Sequence, residues 1–255
     1  MRQGRYSTRF AETEADLSRA QHLRWQCFLA RSRAEGGDHD SLDRDSHDAL
    51  CRHVLIEEAQ SGTLVCCFRI LPLSGGSEIA RSYSAQYYNL ASLADYDGKL
   101  VELGRFCVHP DHSDPDILRL AWAMLTDYVE AEGVGLLFGC SSFIGTEPEA
   151  YGDAFAILRE RHLAPKRWLP RVKAPQVFRF ARALRFARPD PKKAMAAMPP
   201  LLRSYLAMGG WVSDHAVVDP QMNTLHVFTG LEVSAISANR RRFLRGGPAS
   251  LPDPT

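Results

Sequence analysis

The chain has 255 residues, of which 45% are hydrophobic and 24% charged, and its formal net charge is +1. That length supports one large or two small globular domains with a sizeable core, and the charge excludes a general attraction to polyanions such as nucleic acids. The six cysteines, at positions 27, 51, 66, 67, 107 and 140, form no CxxC pair. They are expected to be reduced core thiols in a cytosol rather than a disulfide framework or a zinc site. There is neither a signal peptide nor an apolar run approaching the ~20 residues that span a bilayer. The expected location is therefore cytoplasmic, with any membrane contact peripheral, at the inner face.

Thr13-Glu14-Ala15-Asp16 is a capping-box start, and Leu17, Ala20, Cys27 and Phe28 recur at helical spacing to about Arg31. Residues 36–48, rich in Asp, His, Ser and Gly, read as a loop. Residues 53–58 and 64–71, joined by Gln60-Ser61-Gly62-Thr63, predict an antiparallel hairpin, and 100–108 a further strand. After Pro115, residues 116–132 carry a helical apolar face through Leu120, Met124, Leu125 and Tyr128, which Gly133 ends. Leu136-Leu137-Phe138 then predicts a short buried strand. This order gives a mixed α/β (α+β) sheet protein. Residues 159–193 break the rhythm with twelve Lys or Arg against two acids. Within them Arg179, Arg182 and Arg185 recur every three residues among Val177, Phe178, Phe180 and Leu184, which predicts a basic amphipathic helix. The expected organisation is a core over 1–158, a basic helical insertion over 159–195, a C-terminal part over 196–245 and a disordered Pro/Gly tail over 246–255.

The most informative run is Val101-Glu102-Leu103-Gly104-Arg105-Phe106-Cys107-Val108-His109-Pro110, where two charges interrupt a buried strand. An unpaired charge there would cost several kcal/mol. Alternation places Glu102 and Arg105 on opposite faces unless the strand bulges, and Gly104 is the residue that would permit a bulge. A salt-bridged edge strand is the competing reading. Upstream, Arg24 and Phe28 lie on the helical pattern, Asp45 and Asp48 in the polar loop, and Arg69 inside an apolar strand. Arg24, Arg69 and Arg105 against Asp45, Asp48 and Glu102 form a balanced set that could satisfy itself in one cleft; the alternative leaves both aspartates as solvated loop residues.

This pattern resembles the acyl-homoserine-lactone synthases, which acylate an amine from acyl carrier protein on a GNAT-like fold. Downstream, Phe138-Gly139-Cys140-Ser141-Ser142-Phe143-Ile144-Gly145, Pro199-Pro200-Leu201-Leu202-Arg203-Ser204-Tyr205-Leu206, Ala216-Val217-Val218-Asp219 and Asn223-Thr224 are similar to the ornithine N-acyltransferases of ornithine-lipid synthesis. The resemblance implies a GNAT-like core with a C-terminal extension, and transfer of a 3-hydroxyacyl group from acyl carrier protein to the α-amine of ornithine, giving lyso-ornithine lipid. It further implies that Arg24, Phe28, Asp45, Asp48 and Arg69 form the acceptor cleft, and that Ser141, Ser142 and Phe143 lie near the acyl or pantetheine channel.

Amide formation needs a base and hydrogen-bond donors for an oxyanion. Glu102 is the expected base, direct or through water, and the backbone around Phe106, Cys107 and Val108 the expected oxyanion site. Arg105, which stays protonated, would orient Glu102 or the acidic loop. Enzymes that grip coenzyme A use a glycine turn at a helix N-terminus, whereas Ser113-Asp114-Pro115-Asp116-Ile117-Leu118-Arg119 has no glycine and two acids. The expected co-substrate is therefore the phosphopantetheine thioester of acyl carrier protein, with no other cofactor. Arg179, Arg182 and Arg185 are expected to dock that acidic carrier, with attachment to anionic lipid or a solvated face as alternatives. His109 and His112 with their acidic neighbours lack a metal-ligand spacing, so no metal is expected. Gly139-Cys140-Ser141-Ser142-Phe143 is not a nucleophile elbow. The rival assignments are a homoserine-lactone synthase, an acyltransferase for another amino acid such as glutamine, and a non-catalytic module that binds carrier or membrane.

Overall fold

Thr13 starts the first helix as its chemistry requires: the Thr13 Oγ1 accepts the Asp16 N–H at 3.1 Å, and the helix runs Glu14–Phe28. The computed structural model describes residues 2–30 and 41–236; residues 36–40 of the predicted acidic loop and the predicted tail lie outside them. The chain divides into two units that alternate along its length, one made of residues up to Pro72 with 103–133, the other of residues 73–102 with 134–236. The strand Lys99–Val108 supplies its first four residues to the second unit and its remainder to the first.

In the first unit the predicted hairpin pairs Arg52–Glu58 antiparallel with Leu64–Leu73, in a register that sets His53 opposite Arg69. A strand that the sequence reading did not anticipate, Tyr6–Phe10, extends this sheet against Arg52–Glu58. The helix Glu14–Phe28 buries Ala20 and Leu23 against Leu55, Leu64, Cys67 and Cys107, with Phe28 and Cys27 packed at the margin. The helix Pro115–Glu132 ends where Gly133 takes φ 65°, a left-handed position that a residue with a Cβ adopts only at a cost. It packs Tyr128 edge-on to Phe10, with ring centroids 6.0 Å apart.

The second unit is built on a longer strand than expected. Val134–Ile144 runs straight through Gly139 and the two serines, paired antiparallel with Thr224–Glu232 so that Ser142 faces His226 and Cys140 faces Phe228. Alternation turns Ser142 outward, whereas Ser141 shares the buried side of Phe143; Phe143, Leu225 and Val227 enter the core that Phe155, Leu158 and Leu202 fill from helices Gly152–Arg161 and Pro200–Ala207. The strand Trp211–Asp219 continues the sheet and pairs with the short strand Val177–Phe178.

The basic amphipathic helix expected around Arg179, Arg182 and Arg185 is replaced by that short strand and a single helical turn, Phe180–Ala183. The reason is aromatic. Phe178 and Phe180 both pack on Phe155, at 5.6 and 5.2 Å between centroids, and that spacing of two residues holds the backbone extended before the turn. The Arg159 guanidinium then donates to the Leu184 and Arg185 carbonyls and closes the turn. Among the described residues no helix is long and apolar enough to cross a membrane.

Candidate active site

The first unit gathers three guanidinium groups and three carboxylates into one set. The helix Glu14–Phe28 presents Arg24, whose Nε donates to Asp43 Oδ2 at 2.9 Å and whose Nη1 donates to Asp48 Oδ1 at 2.7 Å. Arg69 donates from Nη1 to Asp45 Oδ1 and Asp48 Oδ1, at 2.6 and 2.8 Å, and from Nη2 to Asp45 Oδ2 at 2.7 Å. Arg105 closes the set, with Nε 3.0 Å from Asp43 Oδ2 and Nη2 3.3 Å from Asp45 Oδ2. Gln21 adds a donor to Asp48 Oδ2 at 3.0 Å. The arginines of the expected balanced set are therefore the ones found together, but the third acid is Asp43, which the sequence reading passed over, and not Glu102.

The bend in this strand also differs from expectation. Arg105 itself takes φ 51°, whereas Gly104 does not enter the left-handed region. A non-glycine residue there carries a cost on the order of 1 kcal/mol, which the two carboxylate contacts of Arg105 offset. Gly104 lies beside Arg69: a Cβ on it would come 3.4 Å from Arg69 Nε, an ordinary van der Waals contact. Beyond the bend, Phe106 stacks on Phe68 with centroids 5.4 Å apart, and Cys107 turns into the core.

Burial alone would raise the carboxyl of Asp48, but the hydrogen bond and charge of Arg24, with Gln21 and Arg69, outweigh it and hold it below the usual carboxylate range. The same opposition, won by Arg69, Arg105 and Arg24, holds Asp45 well below that range. Asp43 and Asp48 side chains are 6% and 7% exposed, whereas that of Asp45 is 21% exposed, so Asp45 is the open edge of the set.

At the start of the helix Pro115–Glu132 the Asp114 carboxylate accepts the Asp116 N–H at 2.9 Å and the Tyr6 hydroxyl at 3.0 Å. That backbone hydrogen bond, followed by Tyr6 and nearby arginines, lowers the Asp114 carboxyl from its ordinary value. The helix N-terminus, the natural place for a pyrophosphate, is thus capped by the chain's own carboxylate.

In the second unit Glu102 is buried and accepts three donors: the Tyr83 N–H at 2.8 Å, the Ser84 N–H at 2.7 Å and the Ser84 hydroxyl at 2.6 Å. The Ser84 hydroxyl also lies 3.4 Å from Cys140 Sγ. The short helical turn Ser84–Gln86 therefore fixes the Glu102 carboxylate in one orientation. On Val134–Ile144, Ser141 is buried and its hydroxyl accepts from Thr229 at 2.9 Å, Ser142 is exposed and Phe143 is buried. Tyr88 donates to the His226 carbonyl at 2.7 Å, and burial pushes the His226 imidazole down to about 3, so it is neutral. Although they lie on no common helix, Arg179, Arg182 and Arg185 line one surface concavity of about 400 Å³ with Ala183. Phe186 beside them is 82% exposed under the Arg185 guanidinium, 4.4 Å from its ring.

Comparison with known proteins gives the same family. Residues 23–123 match the acetyltransferase (GNAT) domain family. The L-ornithine N(alpha)-acyltransferase of Rhodobacter capsulatus is 34% identical over 248 residues, covering 93% of this chain and 94% of that protein. The protein of the same name from Rhizobium meliloti is 31% identical over 240 residues, covering 90% and 81%. Among solved structures the acyl-homoserine-lactone synthase LasI aligns over 96% of this chain and 97% of its own, with a TM-score of 0.47 and 16% identity. This chain belongs to the L-ornithine N(alpha)-acyltransferase family.

Proposed function

We propose that the protein transfers a 3-hydroxyacyl group from acyl carrier protein to the α-amine of L-ornithine, releasing lyso-ornithine lipid and the carrier's free thiol. The observation that carries this reading is the likeness, along nearly the whole chain, to the Rhodobacter capsulatus enzyme. An α-ammonium must lose a proton before its nitrogen can attack the thioester carbonyl. Glu102 takes that proton, directly or through a water, and the three donors that fix its carboxylate support a defined direction of attack. Backbone N–H groups around Phe106, Cys107 and Val108 hold the oxyanion until the thiolate leaves.

The acceptor is received by the arginine and aspartate set. Arg24, Arg69 and Arg105 keep Asp45 and Asp48 ionised, and Asp45, the exposed edge, meets the δ-ammonium of ornithine, with Phe28 lining the approach. Arg105 acts on the acidic loop, through Asp43 and Asp45. Ser141, Ser142 and Phe143 adjoin the acyl or pantetheine path.

Asp114 at the helix N-terminus disfavours the phosphates of coenzyme A, which supports a carrier-bound donor. Arg179, Arg182 and Arg185, drawn into one concavity, offer an acidic carrier its docking face. Mass spectrometry of lipids from cells that express the protein tests the reading. N-acylated ornithine bearing a 3-hydroxy chain is expected; its absence alongside acyl-homoserine lactone or acylglutamine would replace it.

A further inference from the structure

Three thiols of the first unit meet at one point, and no step proposed above uses them. Cys27 lies in the last turn of the helix Glu14–Phe28, Cys67 in the strand Leu64–Leu73, and Cys107 two residues beyond Arg105. Cys107 Sγ is 3.5 Å from Cys67 Sγ, and Cys27 packs against the cluster that holds both. Cys27 Sγ donates to the Val108 carbonyl at 3.4 Å. Cys67 and Cys107 are buried, whereas Cys27 is only half-buried, so a small solute reaches Cys27 first. The hydrogen bond from Cys107 lowers the Cys27 thiol, while burial pushes the Cys107 thiol up. Access and thiolate character thus coincide at one sulfur, with a second sulfur beside it.

We infer that Cys27 and Cys107 are a reversible oxidation site, closing to a disulfide when the protein meets a hydroperoxide such as hydrogen peroxide. The Cys27 thiolate attacks one peroxide oxygen, the O–O bond breaks, and the departing hydroxide takes a proton to leave as water. Cys27 is then a sulfenic acid. The Cys107 sulfur attacks the Cys27 sulfur, the S–O bond breaks, and the Cys107 proton leaves with the hydroxide as a second water. Two thiols have lost two electrons to one peroxide, and a thiol reductant reverses the change by exchange.

The bond would reach the arginine and aspartate set directly. Arg24 stands three residues before Cys27 on the same helix, and Arg105 two residues before Cys107 on the same strand. Drawing the two sulfurs to about 2 Å moves helix against strand at the segments that hold these arginines. Oxidation is therefore expected to lower acyl transfer, a consequence that rests on the proposed function; formation of the disulfide does not.

The test treats the full-length protein with hydrogen peroxide, blocks the remaining thiols with an alkylating agent, and maps the peptides by mass spectrometry. The expected result is a mass lower by ~2 Da, a cross-linked pair of peptides carrying Cys27 and Cys107, and full reversal by dithiothreitol. Cys27→Ser abolishes the cross-link, whereas Cys67→Ser and Cys51→Ser retain it. Acylation of ornithine falls in step with the cross-linked fraction in the wild type and resists peroxide in Cys27→Ser. A cross-link between Cys67 and Cys107 that persists in Cys27→Ser, or Cys27 oxidised to sulfinic acid without a cross-link, overturns the proposal. So does a fully cross-linked protein with unchanged activity. Untreated protein that leaves ornithine unacylated defeats the functional reading alone, because the peptide map still decides the disulfide.

Discussion

Asp48→Asn offers the sharpest test of the charge set, because it changes one charge and almost no volume. Asp48 accepts Arg24 Nη1 and Arg69 Nη1 on Oδ1, at 2.7 and 2.8 Å, and Gln21 Nε2 and Arg24 Nη2 on Oδ2, at 3.0 and 3.3 Å. An asparagine must point its NH2 group at two of these donors and leaves three guanidinium groups facing two carboxylates. The Arg24 and Arg69 side chains are 1% and 3% exposed, so water screens little of the imbalance. Breaking a buried pair from one side costs about 3–5 kcal/mol. Asp45→Asn, at the exposed edge, should cost only ~1–2 kcal/mol. Urea unfolding followed by circular dichroism would lower the midpoint for Asp48→Asn by roughly 1 M or more. The pH dependence has a definite sign. The Asp48 carboxyl is lowered in the folded protein, so its contribution is complete above the unfolded carboxylate value of about 3.9 and is lost as pH falls below it. The gap between wild type and variant should therefore be full near neutrality and close in acid. A loss under about 1 kcal/mol, or equal costs for Asp45→Asn and Asp48→Asn, would refute the reasoning.

Two further outcomes bear on chemistry and docking. Glu102→Gln can keep the two Ser84 donors on its amide oxygen but turns its NH2 toward the Tyr83 N–H, and by removing basicity should lower kcat by ~10²-fold or more; unchanged turnover in a folded variant removes Glu102 from the proton path. Reversing Arg179, Arg182 and Arg185 to Glu should raise KM for acyl carrier protein and flatten its salt dependence with the ornithine KM nearly constant; loss of liposome binding with untouched carrier kinetics would make the concavity a lipid site.

Local chemistry was readable wherever a residue had one physical use. Thr13 could only cap, Gly133 could only end its helix, and charges at 24, 69 and 105 inside apolar patterns had to find partners. Asp43 gave no such signal, because an acid in a polar loop looks the same whether solvated or buried against Arg24 and Arg105. Glu102 falls outside the charge set for a related reason: a carboxylate in a strand calls for donors, and backbone N–H groups of Tyr83 and Ser84 serve as well as arginines. Periodicity misled at Arg179, where a spacing of three among apolar residues fits a helix but Phe178 and Phe180 dock on Phe155 two residues apart. The polar Ser141 and Ser142 cut short the apparent strand after Phe138, although their backbone carries the ladder to Ile144.

The central claim is tested most directly by purified protein given the same 3-hydroxyacyl chain on acyl carrier protein or on coenzyme A, crossed with ornithine, glutamine and S-adenosylmethionine. Carrier-bound donor with ornithine should be fastest, with coenzyme A thioester poor and S-adenosylmethionine inactive. Equal use of the coenzyme A thioester would contradict the carrier assignment, and faster acylation of glutamine would contradict ornithine as the acceptor.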